Sequence, residues 1–253
     1  MADEIDAPLE AYAYDQPEYA SAFGTFLTHT DQKTKAIGWL TDFVGGLPLR
    51  RLFVDAGAGE GSTTAVLGKF FDRTIAIEPN RALRVELARR FPEAEIVEAP
   101  IAEARIASPA DFVLCSHVFY HIPQTHWIDT LERLTSWLGA DGAAVVLLQN
   151  RDADGMALLR EFFGRHFDLA AAAREFKTRH DDWEIVMHTL NCEVVLDDLE
   201  SACTLTRFFL SDHPGWGRAV TLRRVQEYVR SHFTDPRGYR LSCDQDVLVL
   251  RRR

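Results

Sequence analysis

Three carboxylates stand around a run of glycines near the front of the chain. Asp55 precedes Gly57, Gly59 and Gly61, Glu60 lies among them, and Glu78 follows at roughly the 20-residue spacing that nucleotide-binding units use. The glycines come directly after an apolar run, Leu52-Phe53-Val54, that reads as a buried strand, and a helical stretch from Ser62 to Phe71 follows. A tight strand-to-helix turn needs glycine where the backbone must enter left-handed conformations or approach a ligand closely. Glu78 closes a second apolar run, Thr74-Ile75-Ala76-Ile77, where an acid can accept hydrogen bonds from a ribose. A second set of reactive side chains ends a third run. Asp111 to Cys115 lead to Ser116 and His117, with Tyr120, His121 and His126 just beyond. The histidine spacing invites a metal reading. No carboxylate stands at ligand spacing within the stretch, so no metal is expected. A neutral histidine at a strand end lines a pocket or bonds to backbone, and both readings stay open for His117 and His121.

The carboxylates choose the ligand. Asp55 and Glu60 would repel the pyrophosphate of a dinucleotide, and Ser62 stands where a Gly-x-Gly-x-x-Gly fingerprint has its third glycine. An adenosine carrying ammonium and sulfonium charges and no phosphate suits them, which describes S-adenosylmethionine. A dinucleotide loop or a purely structural turn is the alternative. Val54-Asp55-Ala56-Gly57-Ala58-Gly59-Glu60-Gly61 resembles the first motif of the class I S-adenosylmethionine-dependent methyltransferases. That resemblance implies a Rossmann-like, doubly wound, seven-stranded and mostly parallel sheet.

The pattern of elements agrees with an α/β fold. Helices are expected from Glu18, with Tyr19, Phe23 and Phe26 on one face, and over Gln32 to Val44, capped by Thr30 or Asp31. After the first two strands the order is helix (Arg81 to Phe91), strand (Glu95 to Ala99), strand (Phe112 to His117), helix (Trp127 to Leu138) and strand (Ala143 to Gln149). Such alternation implies a parallel sheet with helices on both faces. A helical block over Gly155 to Phe167, a short helix over Trp183 to Leu190, a sixth strand over Cys192 to Leu196, helices over Leu205 to Leu210 and Leu222 to Phe233, and a last strand over Asp246 to Leu250 complete the expectation. Residues 1 to 17 read as polar and irregular or loosely attached. The organisation expected is an N-terminal helical cap over 1–47 and a catalytic domain over 48–253, with helical insertions at about 151–180 and 200–237 placed to roof the pocket.

Methyl transfer from a sulfonium asks the protein mainly to orient the nucleophile and exclude water. Tyr19, Phe23, Phe26-Leu27 and His29, the Gly57-Ala58-Gly59-Glu60 loop, Glu78-Pro79, Asp111-Phe112 leading to Tyr120, and Gly238-Tyr239-Arg240-Leu241 together look like histamine N-methyltransferase and its relatives. The likeness implies a small-molecule acceptor methylated at an amine or ring nitrogen. In that family an acid after the Phe-Leu-x-His stretch meets the substrate amine, and here Asp31 stands about one position away. His117 falls where the family has a glutamine. Residue by residue, the resemblance places Asp55, Gly57, Gly59, Glu78, Pro79, Asn80, Pro100, Ile101 and Ser116 on the cofactor. Tyr19, Phe23, Asp31, His117 and Tyr120 fall on the acceptor, with His117, Asp31 and Tyr120 as catalytic candidates. Tyr19 and Phe23 read equally well as an amphipathic helix face, and Asp31 as a helix cap.

The 253 residues carry 38 acidic and 28 basic side chains, a formal net charge of −10, which argues against a nonspecific nucleic-acid partner. The four cysteines show no paired spacing. No run is apolar over the roughly 18 residues that a membrane helix needs, and the acidic opening has no leader-like core, so a cytoplasmic protein, monomer or homodimer, is expected. Two other functions fit the same motifs. One is a lyase in which the cofactor's own amine attacks, releasing methylthioadenosine and a cyclic amino acid; the other is a noncatalytic binding module.

Overall fold

The computed structural model describes residues 5–13, 16–211 and 220–253. The first four residues of the acidic opening and the middle of the 200–237 insertion lie outside them. The chain divides into two compact units, each assembled from three segments.

The larger unit comprises Ala36–Leu148, Asp168–Leu190 and Asp246–Arg253. Its strands are β1 (Leu52–Ala56), β2 (Arg73–Ile77), β3 (Glu95–Val97), β4 (Ala110–Ser116), β5 (Leu138–Gln149), β6 (Trp183–Leu190) and β10 (Gln245–Arg252), in the order β3-β2-β1-β4-β5-β10-β6. The pairs β1–β2, β1–β4, β2–β3 and β4–β5 are parallel, giving the expected Rossmann-like fold. β6 and β10 run in opposite directions, because the Arg253 amide donates to the Asp182 carbonyl (2.9 Å) and Thr189 Oγ1 donates to Asp246 Oδ1 (3.0 Å).

β1 is buried along its whole length, as a central parallel strand should be. Phe53 and Phe112 stack across β1 and β4 with ring centroids 5.4 Å apart, and Phe71 joins them. Helix α2 (Gln32–Gly45) contributes Leu40 and Val44 to the same cluster. Each such side chain contributes about 1.5–3 kcal/mol by leaving water. Helix α5 (Trp127–Ser136) buries Trp127, Leu131 and Leu134, which share one face at helical spacing. Helices α3 (Ser62–Leu67), α4 (Arg81–Arg90) and α7 (Leu169–Arg179) complete this unit.

The smaller unit comprises Met1–Lys35, Gln149–Phe167 and Asn191–Gln245. It holds α1 (Pro17–His29), α6 (Asp154–Phe163), α8 (Leu199–Ser211), α9 (Leu222–His232) and an antiparallel sheet of β7 (Glu193–Leu196), β9 (Gly238–Ser242) and β8 (Thr234–Asp235).

Four expectations need correction. Trp183 to Leu190 is a strand, not a helix: Ile185, Val186 and Thr189 are β-branched, and the Asp182 carbonyl and side chain serve β10 through Arg253 and Arg252 instead of capping a helix. The strand over Cys192 to Leu196 belongs to the three-stranded sheet. The helical block expected over Gly155 to Phe167 ends at Phe163, where Gly164 takes a left-handed C-terminal position, and a further helix, not expected as a separate element, follows over Leu169–Arg179. The opening is irregular as expected but not loosely attached in its described part, where the Leu9 amide bonds to the Val220 carbonyl and Asp6 pairs with Arg223.

Candidate active site

In the larger unit the carboxyl ends of β1, β2, β3 and β4 carry the cofactor candidates, which is where open parallel sheets hold ligands. Just past β1, the amides of Gly57 and Ala58 both donate to the Ile77 carbonyl at the end of β2 (2.9 and 3.0 Å). Gly57 has φ +84°, and a Cβ there would lie 2.3 Å from Val118 Cγ2, so both conformation and space demand glycine. Gly59 also has positive φ, but a Cβ on it would meet nothing within 4 Å.

Glu78 ties this loop to the next turn. Its Oε2 accepts from the Gly59 amide (2.9 Å) and its Oε1 from the Asn80 amide (2.8 Å). Each carboxylate oxygen retains accepting capacity, so these bonds leave Glu78 able to receive hydroxyl donors. Pro79 and Asn80 are exposed beside it, and the Asn80 side chain caps α4 through the Ala82 amide (2.9 Å). Pro100 and Ile101 form the turn after β3, where the Pro100 carbonyl accepts from the Glu103 and Ala104 amides. Asp55 is buried inside β1 and accepts from Thr64 Oγ1 at 2.6 Å. Burial pushes its carboxyl up to about 7 against the Thr64 hydrogen bond, and the charge of Glu78 adds to the rise.

At the end of β4, Ser116 is half-buried, and His117 turns the chain with φ +57°, its amide donating to the Leu147 carbonyl (2.9 Å). A left-handed conformation at a non-glycine residue is strained and is held only where surroundings enforce it. The turn sets the His117 ring over Tyr120, centroids 5.9 Å apart, with Nδ1 3.2 Å from the phenol oxygen. His121 is exposed and His126 faces Asp129 at 3.6 Å. Among the described residues no three His, Cys, Asp or Glu side chains cluster to hold a metal.

A family model described as a methyltransferase domain matches residues 28–204, well over half of the chain. The chain belongs to this methyltransferase domain family. An uncharacterized methyltransferase of Alkaliphilus oremlandii (strain OhILAs) is 27% identical over 95 residues, spanning 38% of this chain and 44% of that relative. The chain thus covers less than half the length of that curated relative. Among solved structures, the N-methyltransferase NodS from Bradyrhizobium japonicum WM9, in complex with S-adenosyl-l-homocysteine, aligns over 94% of this chain and 99% of its own, with TM-score 0.59 and 11% identity. The protein BH2331 from Bacillus halodurans C-125 aligns over 85% and 97%, with TM-score 0.62 and 12% identity. At these identities the likeness is one of fold.

The remaining candidates lie in the smaller unit. Tyr19 and the half-exposed Phe23 on α1 pack against Phe208 of α8, with centroids 5.2 and 5.8 Å apart. Asp31 accepts from the Glu193 amide (3.0 Å) and pairs with Lys35 (2.5 Å), while Thr30 Oγ1 accepts from the Gln32 amide. Burial raises the Asp31 carboxyl, but Lys35 and the backbone donors outweigh it and hold it below its usual range.

Sequence reasoning missed several supporting residues. Arg84 donates from α4 to the carbonyls of Glu78 and Pro79 and pairs with Glu98, buttressing the turn after β2. Thr64 was equally silent, since only the fold brings it to Asp55. Glu60, read as a charge beside the glycines, also pairs with Arg90 at 3.2 Å.

Proposed function

We propose that the protein is an S-adenosylmethionine-dependent methyltransferase of a small molecule, acting at an amine or ring nitrogen. The observation that carries this reading is the Gly57–Gly59 loop bonded to Glu78 at the ends of β1 and β2, in a chain of the methyltransferase domain family. Glu78 accepts the ribose hydroxyls, Gly59 admits the ligand at its open side, and Asp55, Pro79, Asn80, Pro100, Ile101 and Ser116 complete the cofactor side. The bound cofactor supplies an electrophilic methyl group on a sulfonium. The nitrogen-directed part is supported by the sequence resemblance and by NodS, itself an N-methyltransferase.

His117 and Tyr120 serve the acceptor beside the cofactor loop. For His117 to take a proton at Nε2, Nδ1 must carry its hydrogen and donate to the Tyr120 oxygen. Tyr120 then fixes the tautomer, and His117 removes the proton that a methylated amine must shed. Tyr19, Phe23 and Asp31 remain acceptor-contact candidates on the strength of the resemblance. A cytoplasmic setting is part of the same reading; no helix among the described residues is long and apolar enough to cross a membrane.

Incubation with S-adenosylmethionine alone, and then with a panel of small amines, tests this. S-adenosylhomocysteine formed only when an amine is present, with the amine gaining one methyl group, is the expected result. Methylthioadenosine released without an acceptor would overturn it.

A further inference from the structure

The two edges of the seven-stranded sheet are not alike. β3 at one edge has three residues, and Arg73 from β2 pairs with its Glu95. β6 at the other edge has eight residues, Trp183-Glu184-Ile185-Val186-Met187-His188-Thr189-Leu190, with no proline and no lysine. Shortness, proline and lysine are among the devices by which sheets prevent their edges from pairing with another chain; β6 itself is long and carries neither residue, and one lysine from outside it, Lys177, donates to the Trp183 carbonyl at its start (2.6 Å). Antiparallel ladders exchange their bonds at every second residue. With Asp182 bonded to Arg253, the amides and carbonyls of Trp183, Ile185, Met187 and Thr189 face away from β10, and of these the Trp183 carbonyl accepts from Lys177 while the later three lie at the centre of the edge. Val186, 37% exposed, stands mid-strand on the face it shares with Glu184 and His188.

We propose that β6 joins two copies of this chain about a two-fold axis at Val186, so that one sheet runs through both. The register follows from side-chain chemistry. A perpendicular two-fold axis keeps each face of the sheet on one side, so only residues of equal parity can oppose one another. Centring on Val186 sets Val186 against the second copy's Val186 and Glu184 against the second copy's His188, in both directions. On the other face Ile185 meets the second copy's Met187. The same register makes Ile185 and Met187 a hydrogen-bonded pair and Val186 a non-hydrogen-bonded pair, in agreement with the amides that face outward. Shifting the centre to either neighbour removes the carboxylate–imidazole match. Beside the 184–186–188 row, a hollow of about 110 Å3 lined also by Phe43, Val249 and Arg251 leaves room for side chains from the second copy.

Sedimentation of the full chain over a dilution series reads the mass directly. A concentration-dependent dimer is expected, and Val186→Lys should leave only monomer with an unchanged thermal melt. Cysteine cross-linking fixes the register. Under oxidised glutathione, Val186→Cys should give a covalent dimer, because opposed Cα atoms in a non-hydrogen-bonded pair lie about 4.5 Å apart. Glu184→Cys should give none. Glu184→Lys alone should weaken the dimer, and Glu184→Lys with His188→Glu should restore it. A wild-type monomer at every concentration overturns the proposal, as does a dimer that survives Val186→Lys or one that cross-links through position 184. Monomers that instead capture a strand from a different protein would also overturn it.

Discussion

Asp55 is a carboxyl that folding makes a weaker acid. Its folded pKa, about 7, lies above the ordinary 3.8, so between those values the folded state holds a proton that the unfolded state has lost. Stability contributed by this group is present below pH 4 and is lost as pH rises towards 7, at up to about 1.4 kcal/mol per pH unit. Denaturant titrations from pH 5 to 8 should show that decline, and Asp55→Asn should flatten it. At Gly57 a Cβ meets both an unfavourable φ and Val118. Gly57→Ala should cost about 2–4 kcal/mol, combining backbone strain with overpacking. Gly57→Ala with Val118→Ala should recover part of that loss, since only the steric share is relieved. Glu78→Ala removes charge-assisted bonds worth roughly 1.5–3 kcal/mol each. Calorimetry should then find S-adenosylmethionine bound at least tenfold more weakly. The types at 55, 57, 59 and 78 were readable because a strand-turn-helix constrains them locally. The Glu60–Arg90 pair was not readable, because it joins the glycine loop to the last residue of α4, which only folding brings together.

At the scale of elements, reading succeeded where the hydrophobic period was unambiguous and failed where two periods overlap. β1, β2, β4 and α5 stand within a few residues of their expected bounds. Trp183 to Leu190 carries apolar residues that fit either period, and Asp181-Asp182 imitates a helix cap; the partner that decides for strand, β10, lies some sixty residues later. The β8–β9 hairpin was missed for a similar reason, since β9 gains its main partner, β7, only through tertiary pairing. Arg84 illustrates how an element can serve the site without touching a ligand. Arg84→Ala would leave α4 its Asn80 cap but release the carbonyls of Glu78 and Pro79. Cofactor affinity should fall several-fold while the melting temperature drops by about 2–4 °C, the shift expected for roughly 1 kcal/mol in a chain of this size.

The molecule as a whole is acidic, and the four cysteines are buried. Burial pushes the Cys203 thiol up to about 11 and that of Cys243 up to about 12, while Cys115 and Cys192 also rise by burial. Thiolate is the reactive form, so an aromatic disulfide reagent should titrate almost no thiol in the native protein and all four after denaturation. The class of fold was legible from the alternation of patterns, but the division into two units was not, because each takes three separated stretches of chain. The sheet order has a consequence for the chain as it is made. β10 lies between β5 and β6, yet it leaves the ribosome after both. Throughout translation of the intervening residues, β5 and β6 each lack the neighbour that will separate them from other chains. A nascent chain stalled before Gln245 therefore presents a second sticky margin that the finished protein never shows, and ending synthesis there should send the product to chaperones or into aggregates.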